Sequence, residues 1–301
     1  MADEGGVASA AARVRTVGGL VSEMSALLQP SLGDDAFREA RELLAALHDM
    51  PRHWPTLEQE RPIGEDDWAR ALRAAARRGK GAPLQYAAGQ AAFRHLTLDV
   101  DERVLIPRPE TEQLVDLVLD GLRGIPGGTL VDVGTGSGAI ALALASEGCA
   151  EKVIGTDVSL DALAVARGNV VRCAPVLRSA VEMRAGSLLG AVHERPLRAV
   201  VSNPPYISWD EREALPASVR DWEPSVALFS GADGMATTAR LVREAGAALE
   251  LGGLLALEVD VRRASIVAEL VATDGAYEHV QVVLDLTGRE RFVVARRREA
   301  E

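Results

Sequence analysis

The sequence has little of what several protein classes require. Only two of the 301 residues are cysteines, and neither belongs to a C-x-x-C pair or stands near a histidine cluster. A disulfide scaffold and a zinc site are therefore disfavoured, and we expect no metal. No apolar run is long enough to span a membrane, and acidic residues precede the first apolar run, unlike in a secretory signal. We therefore expect a cytoplasmic protein with no membrane association.

Basic residues are also few relative to acidic ones. The chain has 33 Lys plus Arg against 44 Asp plus Glu, which gives a formal net charge of −11. A negative surface does not favour binding to the phosphates of nucleic acids, so we expect no stable nucleic-acid binding. The basic run "ARRRE" at 295–299 is interpreted as a solvated tail.

The length and the hydrophobic patterning predict two domains. Residues 1–32 are rich in Ala, Gly and Ser, and we expect them to form a partly disordered tail. Apolar residues at helical spacing then predict helices over 34–50 and 64–81, the second with acids in its first turn and arginines in its last. We assign 33–88 to a small helical domain.

A short linker is predicted over 89–112. Residues 91–100 alternate between polar and apolar, "DER" follows as a turn, and "VLIP" at 104–107 resumes as a strand, which predicts a β-hairpin. The prolines of "PRPETEQLVDLVLDGL" (107–122) then introduce an amphipathic helix.

Residues 113–301 are predicted to form an α/β domain. Apolar strands alternate with helices from about residue 128, a pattern that favours a mainly parallel sheet covered on both faces. The last two strands, "HVQVVLDL" and "RFVVARR", are separated only by "TGRE" and predict an antiparallel hairpin. The predicted parallel strands are "TLVDVG", "KVIGTDV", "VEMRAG", "RAVVSN" and "GGLLALEV".

A glycine-rich turn follows the first of these strands in "VDVGTGSGAIALALA" (131–145). Its glycines allow the backbone to bend tightly and approach a ligand, and the following helix presents free N–H groups to an anion. Asp157 stands roughly 20 residues later, at the end of the next strand, where an acid can accept ribose hydroxyls. These features favour a nucleoside ligand. The spacing is G-x-G-x-G and no P-loop lysine follows, so ATP is disfavoured.

The strand "RAVVSN" ends in the unusual stretch Asn203, Pro204, Pro205 and Tyr206. Ligands of such sheets bind outside the carboxyl ends of the strands, so Asn203 is expected at the ligand site. Its side-chain oxygen and the Pro204 carbonyl could accept both protons of a planar NH₂ group and so orient a poor nucleophile. Tyr206 could stack on that group. The residue types therefore favour a site that binds a planar amide or an aromatic amine.

These motifs resemble those of the class I methyltransferases, which use S-adenosylmethionine, and more closely the bacterial release factor glutamine methyltransferase family. The resemblance extends over about residues 36 to 297. It is carried by "GAPLQYAAGQAAF", "VLIPRPETEQLVD", "DVGTGSGAIALALA", "GTDVSLDALAVARGN", "VVSNPPYI", "EPSVALFSGADGM" and "DLTGRERFVVAR", in that order.

The resemblance implies methylation of the glutamine amide in a Gly-Gly-Gln motif of peptide chain release factors. It also implies that the helical domain docks this protein substrate, and we expect a monomer. Alternatives are a paralogue acting on a small amine or amide, a DNA adenine N6-methyltransferase, and a non-catalytic scaffold that keeps the fold. The acidic net charge disfavours the DNA enzyme, because base flipping requires a basic cleft.

The resemblance also assigns roles to individual residues. The catalytic residues are Asn203, Pro204 and Tyr206. The cofactor-binding residues are Gly134, Thr135, Gly136, Ser137, Gly138, Asp157, Ser187, Leu188 and Asn203. The substrate-binding residues are Asn203, Pro204, Pro205, Tyr206, Arg108, Glu110 and Glu112.

Some positions leave alternatives open or depart from the family pattern. Arg108 could instead form an ion pair that joins the two domains, and Glu223 and Asp233 are as readily loop-capping residues as site residues. Departures stand at Ser187 and Leu188, where relatives often carry an acid, and in the dipeptide "LR" that precedes "AVVSN". The fifth strand ends in Glu-Val-Asp, with Asp260 where a small residue is common.

Overall fold

The computed structural model describes residues 15–125, 127–231 and 234–299. The chain divides into two units, and the boundary falls between Ala88 and Gly89. The hairpin assigned to a linker therefore belongs to the second unit. Among the helices formed by the described residues, none combines the length and the apolar character needed to cross a bilayer.

The first unit is helical, as predicted for 33–88. Its core is a cluster of Leu, Val, Met and Ala side chains from helices α1, α2 and α4. The helices are α1 (Val17–Leu32), α2 (Ala36–Leu47), α3 (Trp54–Leu57), α4 (Glu65–Gly79) and α5 (Leu84–Ala88).

The prediction of a disordered tail was wrong for the part that forms α1; residues 1–14 lie outside the described ranges. Thr16 begins the helix, and its Oγ1 accepts a hydrogen bond from the Gly19 N–H. Two early glycines and the internal Pro30 lower the intrinsic helix propensity. Burial of one apolar face outweighs that cost, because five residues at helical spacing are buried. These residues are Val17, Leu20, Val21, Met24 and Leu28.

The second unit is a seven-stranded sheet with helices on both faces, as predicted. The strand order is β5-β4-β3-β6-β7-β9-β8, in which β3 to β7 run parallel and β9 pairs antiparallel with both β7 and β8. The strands of this sheet are β3 (Thr129–Val133), β4 (Lys152–Asp157), β5 (Ala180–Ala185), β6 (Leu197–Ser202), β7 (Leu249–Glu258), β8 (Tyr277–Leu284) and β9 (Glu290–Arg297).

Helices cover the two faces of this sheet. Helices α6, α7 and α8 pack on one face, and α11 and α12 pack on the other. Successive residues of a strand point to opposite faces, so Leu130 joins the first core and Val131 the second. The helices of this unit are α6 (Pro109–Gly121), α7 (Ala139–Glu147), α8 (Leu160–Cys173), α9 (Ala217–Arg220), α10 (Ser225–Leu228), α11 (Ala236–Ala248) and α12 (Ala264–Thr273).

The predicted hairpin exists, but its turn was placed wrongly. Strand β1 (Gln90–Phe93) pairs with β2 (Leu96–Asp99), so the chain reverses at Arg94 and His95. Arg94 adopts a φ of 54° there. Its side chain compensates for this strain through hydrogen bonds to Glu147 and to the carboxylate of Asp116.

The segment "VLIP" is therefore not a strand. It follows the turn at 101–103 as irregular chain and leads into α6. Pro107 and Pro109 have no N–H to donate, which prevents continued pairing of this segment.

The basic run at 295–299 is not a solvated tail either. Arg296 and Arg297 lie in β9, and their guanidinium groups donate to backbone carbonyls of Gly252 and Ala276. These two arginines are therefore part of the folded sheet and satisfy backbone carbonyls of the neighbouring segments.

Asp132 supports the turn between β3 and α7 from inside the protein. Its side chain is fully buried, and Oδ2 accepts hydrogen bonds from Thr135 Oγ1 at 2.7 Å and from the Ala141 N–H at 3.1 Å. Burial disfavours the charged form and raises the pKa of Asp132 to about 7, although both hydrogen bonds oppose the shift.

A first prediction concerns α1. Leu28 is fully buried, whereas its neighbour Leu27 is 45% exposed. Leu28→Ala removes buried volume and is expected to lower the free energy of unfolding of the first unit by about 3 kcal/mol. Leu27→Ala, the matched control, is expected to lower it by less than about 1 kcal/mol. Amide hydrogen exchange of α1 measures both changes, and equal effects would contradict the packing of this helix.

A second prediction concerns Asp132. The folded chain keeps the Asp132 proton up to about pH 7, whereas the unfolded chain loses it near its ordinary value of 3.8. The free energy of unfolding of the parent therefore falls as the pH rises toward 7, and Asp132→Asn lacks this contribution. Between pH 5.5 and 7, the stability of the parent relative to Asp132→Asn is expected to fall by about 1.5 kcal/mol. Urea denaturation at several pH values tests this; a constant difference would show that Asp132 is already ionised at pH 5.5.

Candidate active site

A cavity of about 450 Å³ opens at the carboxyl ends of β3, β4 and β6. This is the edge of a parallel sheet at which ligands bind, and the volume suits a small-molecule ligand. The predicted site residues on its wall are Gly134, Gly136, Asp157, Ser187, Leu188, Asn203, Pro204 and Pro205.

The glycine loop follows β3 directly. Gly134 and Gly136 have φ values of 74° and 54°, and a Cβ at either position would point into open space. Side chains there would meet no protein atom, but they would occupy the space beside the loop and strain the backbone. The loop is held from behind, because the Gly134 and Thr135 N–H groups both donate to the carbonyl of Thr156. These two glycines therefore leave a clear approach for a ligand.

The other three loop residues serve the fold. Thr135 donates its hydroxyl proton to Asp132, and the buried Ser137 accepts a hydrogen bond from Asn169 Nδ2 through its carbonyl. Gly138 adopts a φ of 87° at the start of α7, where a Cβ would press on Leu142 and Met183. Thr135, Ser137 and Gly138 are thus predicted cofactor residues that the structure places behind the cavity wall.

Asp157 stands at the end of β4 and is fixed by two backbone groups. Its Oδ2 accepts from the Gly136 N–H and its Oδ1 from the Ser159 N–H, both at 2.9 Å. Each carboxylate oxygen has a second lone pair, so Asp157 can still accept two hydroxyl protons. This pair of acceptor oxygens fits the 2′- and 3′-hydroxyls of a ribose.

Leu188 lies beside the same end of the cavity. It has a φ of 51°, and its carbonyl accepts a hydrogen bond from Thr156 Oγ1 at 2.9 Å. With Ser187 it lines this part of the cavity wall. The wall here is suited to a flat, weakly polar group.

Asn203 lies directly after β6, on the cavity wall. Its Nδ2 donates to Thr111 Oγ1 over a long 3.4 Å, and Thr111 Oγ1 donates to Glu258 Oε2 at 2.7 Å. Pro204 and Pro205 continue the wall. Neither Thr111 nor the interaction of Glu258 with it was predicted, because the three residues are 55 to 147 positions apart in the sequence.

Tyr206 is not part of the cavity wall. Burial raises the pKa of its hydroxyl to about 12, so the phenol stays protonated at neutral pH. Its backbone carbonyl packs against Gly234, where a Cβ would lie 2.3 Å from that oxygen. The second glycine of "SGADGM" is therefore required for close approach to the Asn-Pro-Pro-Tyr segment.

The three predicted residues around the start of α6 have separate environments. Arg108 Nη2 donates to both carboxylate oxygens of Glu223, at 2.6 and 2.8 Å. Both partners belong to the second unit, so this pair does not join the domains. Glu112 accepts from the Arg94 N–H at 2.9 Å and supports the hairpin turn. Glu110 is half-buried in the first turn of α6.

Glu223 is buried, and burial raises the pKa of its carboxyl while the charge of Arg108 opposes that shift. The pair fastens the loop after Tyr206 to the start of α6. Asp233 lies outside the described residues.

The departures at Arg198 and Asp260 do not reach the cavity. Arg198 lies near the start of β6, far from its carboxyl end, and pairs with Glu250. Asp260 Oδ1 accepts from Arg262 Nε at 2.7 Å and lies 3.6 Å from a guanidinium nitrogen of Arg263. Both charges are therefore neutralised locally.

Part of the cavity wall was missed by sequence reasoning. Phe229 stacks on Trp209 with ring centroids 4.2 Å apart and an interplanar angle of 14°. Its only sequence signal was its place in "EPSVALFSGADGM". The other missed residues include Arg103, Val104, Leu105, Ala227, Thr237 and Arg240.

Comparison with known proteins agrees with this geometry. A family model described as "Methyltransferase small domain" matches residues 109–215, and "PrmC N-terminal domain" matches residues 20–89. A solved methyltransferase from Pyrococcus furiosus has a TM-score of 0.51 and 19% identity, covering 78% of this chain and 100% of its own. That likeness shows the shared fold.

Curated relatives are more similar in sequence. The release factor glutamine methyltransferase of Deinococcus radiodurans is 40% identical over 259 residues, which are 86% of this chain and 90% of that protein. The protein of the same name from Cereibacter sphaeroides is 39% identical over 263 residues, 87% of this chain and 92% of that protein. The fold is therefore that of a class I methyltransferase, and the chain belongs to the release factor glutamine methyltransferase family.

Proposed function

We propose that this chain transfers a methyl group from S-adenosylmethionine to the side-chain amide nitrogen of glutamine in the Gly-Gly-Gln motif of a peptide chain release factor. The observation that carries the proposal is the position of Asn203. Its planar amide lies on the wall of the same cavity as the glycine loop and Asp157. A recognition group for a planar amide and a nucleoside site therefore share one cavity.

The residues present fit the cofactor. Gly134 and Gly136 leave an open cradle for the methionine part, and Asp157 has acceptor capacity for the ribose hydroxyls. Ser187 and Leu188 line the remaining end, where we place the adenine. Thr135, Ser137 and Gly138 support the loop that carries this cradle.

Asn203 and Pro204 act on the substrate nitrogen. Asn203 Oδ1 and the Pro204 carbonyl accept the two amide protons and point the nitrogen toward the methyl group. When bound, S-adenosylmethionine would supply a methyl carbon attached to a positively charged sulfur. The N–C bond would form as the C–S bond breaks, and the electron pair of the C–S bond would stay on the sulfur. One amide proton would then go to water. Both acceptors favour the positive charge that develops on the nitrogen during this transfer.

Other predicted residues have supporting roles in this proposal. Pro205 restricts the backbone next to Pro204. We propose that Tyr206 contacts the substrate amide and that Arg108, with Glu223, holds the loop at the substrate entrance. The first unit docks the release factor. The protein acts as a monomer in the cytoplasm, without stable nucleic-acid binding.

Methyl labelling tests the reaction. Incubation with S-adenosylmethionine carrying a labelled methyl group is expected to label a recombinant release factor at one glutamine. A release factor with Gln→Ala in its Gly-Gly-Gln loop is the matched control and is expected to stay unlabelled. Cofactor binding without label on the factor, or label that survives the Gln→Ala change, would refute the proposed function and favour another amine or amide.

Asn203→Ala tests the recognition group. This change removes a positioned acceptor and is expected to lower kcat more than tenfold, while calorimetry shows a cofactor Kd within about threefold of the parent. Near-normal kcat would show that Asn203 only ends the strand.

A further inference from the structure

Three polar side chains from three elements form a hydrogen-bonded series that runs from the cavity wall into the interior. Asn203 follows β6, Thr111 lies in the first turn of α6, and Glu258 ends β7. Thr111 is 5% exposed and Glu258 is 2% exposed, so both side chains are shielded from solvent. The two distances are 3.4 Å from Asn203 to Thr111 and 2.7 Å from Thr111 to Glu258. We call this series the Asn203 relay.

An ionised Glu258 sets the direction of both hydrogen bonds. A carboxylate can only accept, and a threonine hydroxyl has one proton to donate. Thr111 therefore gives its proton to Glu258 and offers only a lone pair to Asn203. An amide NH₂ can meet that lone pair, whereas an amide oxygen cannot. The Nδ2 of Asn203 is thus held toward Thr111, and its Oδ1 is turned away.

We infer that Thr111 and Glu258 are positioning residues that select the productive orientation of the Asn203 amide. The inference rests on the proposed function, because it is the substrate amide that requires an acceptor from Asn203. An asparagine flipped by 180° would present its own NH₂ to the NH₂ of glutamine, and two donors cannot pair. The relay therefore removes a non-productive state that the side chain of Asn203 could otherwise occupy.

The charges around Glu258 help to determine the pH above which the Asn203 relay fixes the orientation of the Asn203 amide. Arg291 on β9 and Arg108 before α6 favour the carboxylate, whereas Glu110 on α6 opposes it, and Tyr206 is a neutral neighbour. Burial is the largest effect and raises the pKa of Glu258 to about 7. Above that pH Glu258 only accepts. Below it, the carboxylic acid can donate to Thr111, and both orientations of Asn203 become possible.

The first test compares two substitutions of Thr111. Thr111→Val keeps the shape but removes the hydroxyl, and it is expected to lower kcat about tenfold with little change in the cofactor Kd. Thr111→Ser keeps the hydroxyl and is expected to recover most of that loss. Equal impairment of the two variants, or a Thr111→Val enzyme with the kcat of the parent, would overturn the inference.

The second test uses Glu258→Gln, which cannot ionise. The parent is expected to lose kcat as the pH falls through about 7, and this acid limb is expected to disappear in Glu258→Gln. The same release factor is used for both, so any titration of the substrate is common to the two profiles. An acid limb that persists in the variant would overturn the relay.

A substrate-free measurement separates this inference from the proposed function. The side-chain NH₂ resonances of Asn203 in the ¹⁵N-labelled parent are expected to shift with a midpoint near pH 7, and not to shift in Glu258→Gln. Asn203→Ala identifies the resonances. A pH-dependent shift without methylation of a release factor would refute the proposed function alone. Methylation with the same shift in parent and Glu258→Gln would refute the relay alone.

Discussion

The Thr111 hydroxyl joins the start of α6, the end of β6 and the end of β7 through two hydrogen bonds. All three elements end or begin at the carboxyl edge of the parallel sheet, where the cavity opens. A buried carboxylate beside a reaction centre is costly unless it is hydrogen-bonded, and Thr111 supplies that partner to Glu258. The arrangement of the candidate site depends on this buried contact, because it ties the asparagine to groups that cannot move independently of the sheet.

A buried acid also fixes the backbone on the glycine-loop side of the cavity. Asp132 lies buried under the glycine loop and fixes the start of α7, while Asp157 accepts from Gly136 and Ser159 at the cavity itself. One acid is buried in the fold and the other lines the cavity, although both follow apolar strand residues in sequence. Burial distinguishes them: the pKa of Asp132 is raised to about 7 because it has lost its water.

Much of the second unit could be predicted from the sequence, because hydrophobic period and glycine turns are local signals. The strand ending at Asn203, the loop at Gly134 and the acid at Asp157 all lie on or beside the cavity. Helix α1 was missed because its glycines and proline masked the spacing of its apolar residues. The hairpin turn was misplaced because an arginine, not a glycine, adopts the positive φ.

Contacts distant in sequence could not be predicted in this way. The Arg108–Glu223 pair spans 115 positions and the Thr111–Glu258 hydrogen bond spans 147. A sequence pattern indicates that each residue is polar and near a strand end, but only the packed sheet decides which groups meet. The same holds for Thr135 and Ser137, whose motif position predicts a ligand contact while their side chains and carbonyls face the interior.

The most direct test of this account is a crystal structure at about pH 8 with S-adenosylhomocysteine and a glutamine-containing peptide from the release factor loop. The account predicts that Asn203 Oδ1 lies within about 3 Å of the side-chain amide nitrogen of the glutamine, and that Asn203 Nδ2 is still directed at Thr111. A glutamine amide bound away from Asn203, or an Asn203 whose Nδ2 faces the peptide, would contradict it.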